Sequence, residues 1–156
     1  MGQDAGFARP DPAMARLQFQ TPTSFPFSTD IQIYISHVNQ GGHLDNAQLL
    51  TLVSEARVRF FKALGYREGN VEGCPIVVAD IGAQYKSEGF HGETMRVSLA
   101  ATDFSRCGLD LQFRMDELAS GREVARGKIG VVFIDKTSRK PTDVPPAFKA
   151  KLQQPV

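Results

Sequence analysis

The chain has two cysteines in 156 residues, Cys74 and Cys107, and neither has a companion at a metal-ligand spacing. A disulfide framework and a cysteine-rich metal site are thereby excluded, and both are read as free thiols. Charge of one sign is equally scarce. Eighteen Lys and Arg against 17 Asp and Glu leave a net charge of +1, so no global field draws nucleic acid to the surface. No apolar run approaches the roughly 20 residues that a membrane span needs. The N-terminus carries Asp4, Pro10 and Asp11 where a secretion signal needs an unbroken apolar stretch. The expectation is a cytoplasmic protein with no nucleic-acid or membrane partner.

What is present is enough chain for one domain with a proper core and too little for two. Residues 1–22 are rich in Gly, Pro and Ala without a period and are read as a flexible N-terminal arm. Residues 23–152 are read as the domain, and 153–156 as a C-terminal tail. The organising stretch is HVNQGGHLDNAQLLTLVSEARVRFFKALG, from His37 to Gly65, a loop feeding one long helix. Asp45 can cap the first turn with Gln48 reaching back to it, and Gly65 supplies the left-handed residue at the other end. At roughly 100° per residue, Leu49, Leu52, Val53, Ala56, Phe60, Ala63 and Leu64 share one apolar face, with Gln48, Thr51, Glu55, Arg59 and Lys62 opposite. Leu50, Ser54, Arg57 and Phe61 form a narrower stripe beside it, which predicts a subunit contact.

Alternation of apolar and polar residues marks five strands. The first sets Phe25, Phe27, Ile31, Ile33 and Ile35 on one face, and the second sets Val77, Ala79, Ile81, Ala83 and Tyr85 against Val78, Asp80 and Gln84. Met95 to Ala101 and Leu109 to Met115 read as antiparallel neighbours, and Ala125 to Phe133 as the fifth strand. The Pro-broken tail has room for one short helix. One helix and one antiparallel sheet, each with a single apolar face, satisfy each other when the sheet curls round the helix, an α+β arrangement. The second stripe and the outer sheet face then ask for partners, and a dimer or tetramer with its site between subunits is expected.

These residues resemble the hotdog-fold thioesterases of the 4-hydroxybenzoyl-CoA thioesterase type, over roughly Phe25 to Leu152. The resemblance is carried by Asn39, Gly42, His43 and Asn46 in the loop, Glu55-Ala56-Arg57 and Leu64-Gly65 in the helix, Tyr85 with Gly92-Glu93 after the second strand, and Lys140-Pro141 with Pro145 at the exit. It implies a five-stranded antiparallel sheet wrapped round one central helix. It also implies hydrolysis of an acyl-CoA thioester at a subunit interface, without metal or organic cofactor. By that resemblance the thioester carbonyl meets a backbone N–H near Asn46, where the helix dipole and unpaired donors stabilise oxyanion charge. The chain departs from the family at its carboxylates: the matching loop position is Asn39 and the matching helix position is Ser54. An amide is no base at neutral pH, so Asn39 is read as an orienting group.

The catalytic candidates are therefore Asn39, His43, Asn46 and Glu55, and the substrate-binding candidates are Asp45, Ser54, Lys136, Arg139 and Lys140. Glu55 stands one residue beyond the helical carboxylate position, on the polar side, where an ion pair is its structural alternative. Asp45 sits beside the expected oxyanion donor and equally suits a helix cap. His43 and His37 bracket the loop and can act as acid, base or carbonyl donor. Ser54 with a His would make a nucleophile and base, but no third orienting group accompanies them. Lys136, Arg139 and Lys140 can meet the CoA phosphates or simply solvate a loop. Gly41-Gly42 is too short for a phosphate loop and lets the chain turn into the helix. A binding protein without hydrolysis and a hydroxyacyl-thioester dehydratase are the competing functions.

Overall fold

A computed structural model describes residues 16–153. Five strands, β1 (Phe27–Gln32), β2 (Ile76–Tyr85), β3 (Thr94–Thr102), β4 (Gly108–Glu117) and β5 (Glu123–Phe133), form one antiparallel sheet in the order β1-β3-β4-β5-β2. The helix α1 (Asn46–Ala63) lies in its hollow, and a short helix α2 (Pro146–Leu152) closes one end. This is the hotdog arrangement expected from the sequence. Apolar residues at every second position of the inner strands, such as Val97, Leu99, Leu111, Phe113, Ile129 and Val131, are all buried against Leu52, Val53, Ala56 and Phe60 of α1.

Local chemistry sets the ends of α1. The Asp45 carboxylate accepts hydrogen bonds from the Ala47 and Gln48 amides, so two of the helix's unpaired donors are satisfied. Gly65 (φ +89°) ends the helix, with the Gly65 amide donating to Lys62 and the Tyr66 amide to Phe61, the pairing of a Schellman motif.

Several expectations require correction. The Leu50 stripe does not stand bare: Phe61 is fully buried within its own chain, its ring stacked on Phe148 of α2 at 5.8 Å. A later part of the sequence covers what the helical wheel left open, while Ala63, assigned to the main face, is exposed. The first strand stops at Gln32. A 3-10 turn over Ile35–His37 follows, in which the His37 ring nitrogen accepts from the Tyr34 amide, and Ile35 is left 71% exposed. In β2 the alternation fails because the register slips between Val78 and Asp80, a bulge that turns successive side chains off their expected faces. As an edge strand it leaves Val77, Val78, Ile81 and Tyr85 exposed.

The outer sheet face does not ask for an apolar partner. Arg96 pairs with Asp30, Lys128 with both Asp80 and Asp110, and Arg114 with Asp116, so the face is polar and carries paired charges. Each such pair contributes on the order of 0–1 kcal/mol. Phe19, assigned to the arm, lies on this face. The Phe19 ring lies so close over Gly82 that a Cβ there would meet it at 2.7 Å, and the Phe19 carbonyl accepts from Arg126. The rest of the expected arm, residues 1–15, and all but Gln153 of the expected tail lie outside the described residues.

Candidate active site

The loop before α1 folds back on itself. The Asn39 amide donates to the His43 carbonyl, the Gly42 amide to the Asn39 carbonyl, and the Gly41 amide to Asn39 Oδ1 at 2.9 Å. Such an Asx turn is what a short carbonyl side chain does in a tight loop. It leaves the Asn39 side-chain NH2 as the free donor. Gly41 is needed here, because a Cβ on it would lie 3.1 Å from His43 Nε2 and 3.2 Å from Asn39 Oδ1. Gly42 takes the left-handed turn (φ +84°) that brings the chain round to α1.

The folded loop docks on the connection between β2 and β3. The Leu44 amide donates to Gly89, His43 pairs with Phe90, and Gly89 is buried where a side chain would press on Ile33 and Leu44. On the other side of Glu88, the Ser87 hydroxyl donates to the Glu123 carbonyl at 2.7 Å. Between loop and connection a cleft of about 350 Å³ opens, lined by Asn39, His43, Asn46, Tyr85, Lys86 and Glu88 with Leu49 and Val124 beneath. His43 Nε2 stands 3.7 Å from Glu88 Oε1, beyond direct hydrogen-bond reach.

Asn46 is the first residue of α1, and among the described residues its backbone N–H meets no acceptor. Its carbonyl accepts from the Tyr85 hydroxyl at 2.9 Å. Burial, and then the nearby Asp45 charge, raise the Tyr85 phenol above its ordinary range and keep it a donor. The cleft therefore combines a free amide at a positive helix end, a side-chain amide, an imidazole and a carboxylate. Together these can hold a carbonyl, orient a water and move a proton.

The remaining candidates lie elsewhere. Asp45 is engaged as the helix cap. Glu55 pairs with Arg59 at 2.8 Å and lines a separate depression with Thr51, Asp30, Tyr34 and His37. Ser54 lines neither hollow. Lys136, Arg139 and Lys140 are exposed in the turn after Phe133, whereas the cleft touches β5 at Val124. The two ends of that strand are roughly 30 Å apart at about 3.3 Å per residue. The sequence reasoning missed Glu88 and Lys86. Their only signal was a turn-rich polar segment after the second strand, KSEGFHGE. Among the described residues no group of three or more His, Cys, Asp or Glu is placed to hold a metal ion.

A family model described as the thioesterase-like superfamily matches residues 33–152, everything from the end of β1 through α2. The chain belongs to the thioesterase-like superfamily. Its fold is shared with a 1,4-dihydroxy-2-naphthoyl-CoA thioesterase from Synechocystis, at 18% identity and a TM-score of 0.74 over 81% of this chain and 94% of that one. A DHNA-CoA thioesterase from Staphylococcus aureus aligns at 19% identity and a TM-score of 0.71, over 80% of this chain and 86% of that one. A Thermus thermophilus thioesterase, solved in complex with coenzyme A and Zn, aligns at 21% identity and a TM-score of 0.72 over 84% of this chain and 100% of that one. No curated protein matches the sequence. At these identities the likeness to the solved structures is one of fold, while membership of the thioesterase-like family rests on the matched sequence itself.

Proposed function

We propose that this thioesterase-like protein hydrolyses an acyl-CoA thioester to free acid and CoA in the cleft before α1. The observation that carries the reading is Asn46, whose N–H meets no acceptor among the described residues, at the start of an 18-residue helix and lining a cleft with Asn39 and His43. A thioester carbonyl placed there gains negative charge as water adds to it. The helix end and the fixed N–H stabilise that charge without reorganising, an effect worth about 2.7–4 kcal/mol for one donor. The Asn39 side-chain NH2 orients the carbonyl or the attacking water, and the His43 imidazole lines the cleft beside it. Lys86, among the described residues the only Lys or Arg lining the cleft, meets an anionic part of the substrate.

In this reading a second copy completes the site. Tyr85 and Lys86 stand at the end of β2, whose outer edge pairs with no other strand among the described residues and exposes apolar side chains, so a partner joined along that edge walls the cleft. A cytoplasmic location suits Cys74 and Cys107, both free thiols. The test is incubation of the pure protein with a panel of short-chain, medium-chain and aromatic acyl-CoAs and a thiol reagent. Saturable thiol release is expected. Saturable binding without thiol release, or an enoyl product without free CoA, would overturn the proposal.

A further inference from the structure

Hydrolysis in this cleft needs a group to take a proton from water, and Asn39 cannot do so. Among the described residues that line the cleft, Glu88 is the only carboxylate. Asp45 is held by the two amides it caps, and Glu55 lies in another depression on Arg59. The Glu88 backbone is fixed on both sides, by the Ser87 hydroxyl on Glu123 and by the Gly89 carbonyl on Leu44, while its side chain is 62% exposed and free to reach into the cleft. A tethered backbone under an exposed carboxylate suits a group that must meet both water and leaving group.

We propose, on the strength of the hydrolase reading above, that Glu88 is the general base of the reaction. Its carboxylate takes one proton from a water that Asn39 orients. The water oxygen forms the new bond to the thioester carbon, and the carbonyl electron pair moves onto oxygen at the Asn46 N–H. Collapse restores the carbonyl and breaks the C–S bond. The departing thiolate takes the proton back from Glu88, so the products are acid and free thiol and the carboxylate is regenerated. His43, with Nε2 3.7 Å away, flanks Glu88 as a positioning residue.

The experiment compares the full-length parent with Glu88→Gln, Glu88→Ala and His43→Gln on the best acyl-CoA of the panel. Glu88→Gln is expected to lower kcat about 100-fold to 10,000-fold with KM within about threefold, the range for loss of a general base. Added formate or acetate is expected to restore part of the Glu88→Ala activity, which a merely structural role would not allow. The groups facing Glu88 across the cleft are His43, Tyr85 and Lys86, with Asp45 at the helix start. The acid limb of the parent's kcat profile is therefore expected to vanish in Glu88→Gln and to persist in His43→Gln. Unchanged kcat in Glu88→Gln, no rescue of a folded and inactive Glu88→Ala, or an acid limb lost only in His43→Gln would overturn the assignment while parental thiol release leaves the hydrolase reading standing. A parent that releases no thiol from any acyl-CoA overturns both.

Discussion

Tyr85, the last residue of the edge strand β2, donates its hydroxyl hydrogen to the carbonyl of Asn46, the first residue of α1, at 2.9 Å. The bond ties an edge strand of the sheet to the first residue of the helix, which lines the cleft. If the proposed function holds, a partner on that edge and a substrate at that helix end meet on either side of this bond. Light scattering is expected to give a dimer or larger assembly for the parent. Ile81→Lys, which puts a charge on the exposed edge, is expected to shift it toward monomer and to lower turnover with it. A parent that stays monomeric at micromolar concentration would contradict the edge assignment.

Asn39 is the sharpest single position in the loop. Asn39→Ala removes one oriented donor and is expected to lower turnover roughly 10-fold to 1000-fold, about 1.4–4 kcal/mol. Asn39→Asp keeps the turn, because a carboxylate also accepts from the Gly41 amide. It also adds a base beside the carbonyl, so it is expected to retain or raise activity. Thermal melts of both variants come first, since a charge without partners can unsettle the loop and imitate a catalytic loss. Parental rates in folded Asn39→Ala with every substrate would remove this loop from the active site.

Phe60 tests the core. It is buried, with the Phe27 ring edge-on at 5.6 Å and the Phe61 ring at 5.4 Å. Phe60→Ala is expected to cost about 3–5 kcal/mol, read from the midpoint of urea unfolding at an unchanged slope. A cost under about 1 kcal/mol would mean that α1 does not seat this face on the sheet.

Tyr66 makes stability depend on alkaline pH. Burial first, then its hydrogen bond to Glu72 and the charge of that carboxylate, push the phenol up to about 12. The folded state therefore favours the protonated phenol more than the unfolded chain does. The contribution is complete below the unfolded value of about 10 and disappears as pH rises through the folded value. Urea unfolding of the parent is expected to show stability falling between pH 10 and 12, and Tyr66→Phe to flatten that part of the fall. Equal pH slopes for the two proteins would rule Tyr66 out as the source.

The sequence alone determined what depends on neighbours along the chain. Asp45 and Gly65 bound α1 because a cap and a left-handed glycine act on the backbone within a few residues. The period of the inner strands, Met95 to Phe133, was readable because each residue's face follows from its position in the pleat. Asn39, His43 and Asn46 could be grouped in advance because one short loop carries all three. Other outcomes depended on which distant segment came to lie beside which. Phe61 needed Phe148 from the last helix before its stripe could be closed, and the face of β2 depended on a bulge and on lying at the sheet's edge. A helical wheel put Glu55 on a polar side but could not say that this side overlooks a different depression, with Arg59 as partner. Glu88 reaches His43 only because the β2–β3 connection folds under the loop, held there by Leu44 on Gly89 and Ser87 on Glu123. Local periodicity carries no information about that proximity, because it follows from hydrogen bonds of neighbouring residues between segments that only the closed sheet brings together.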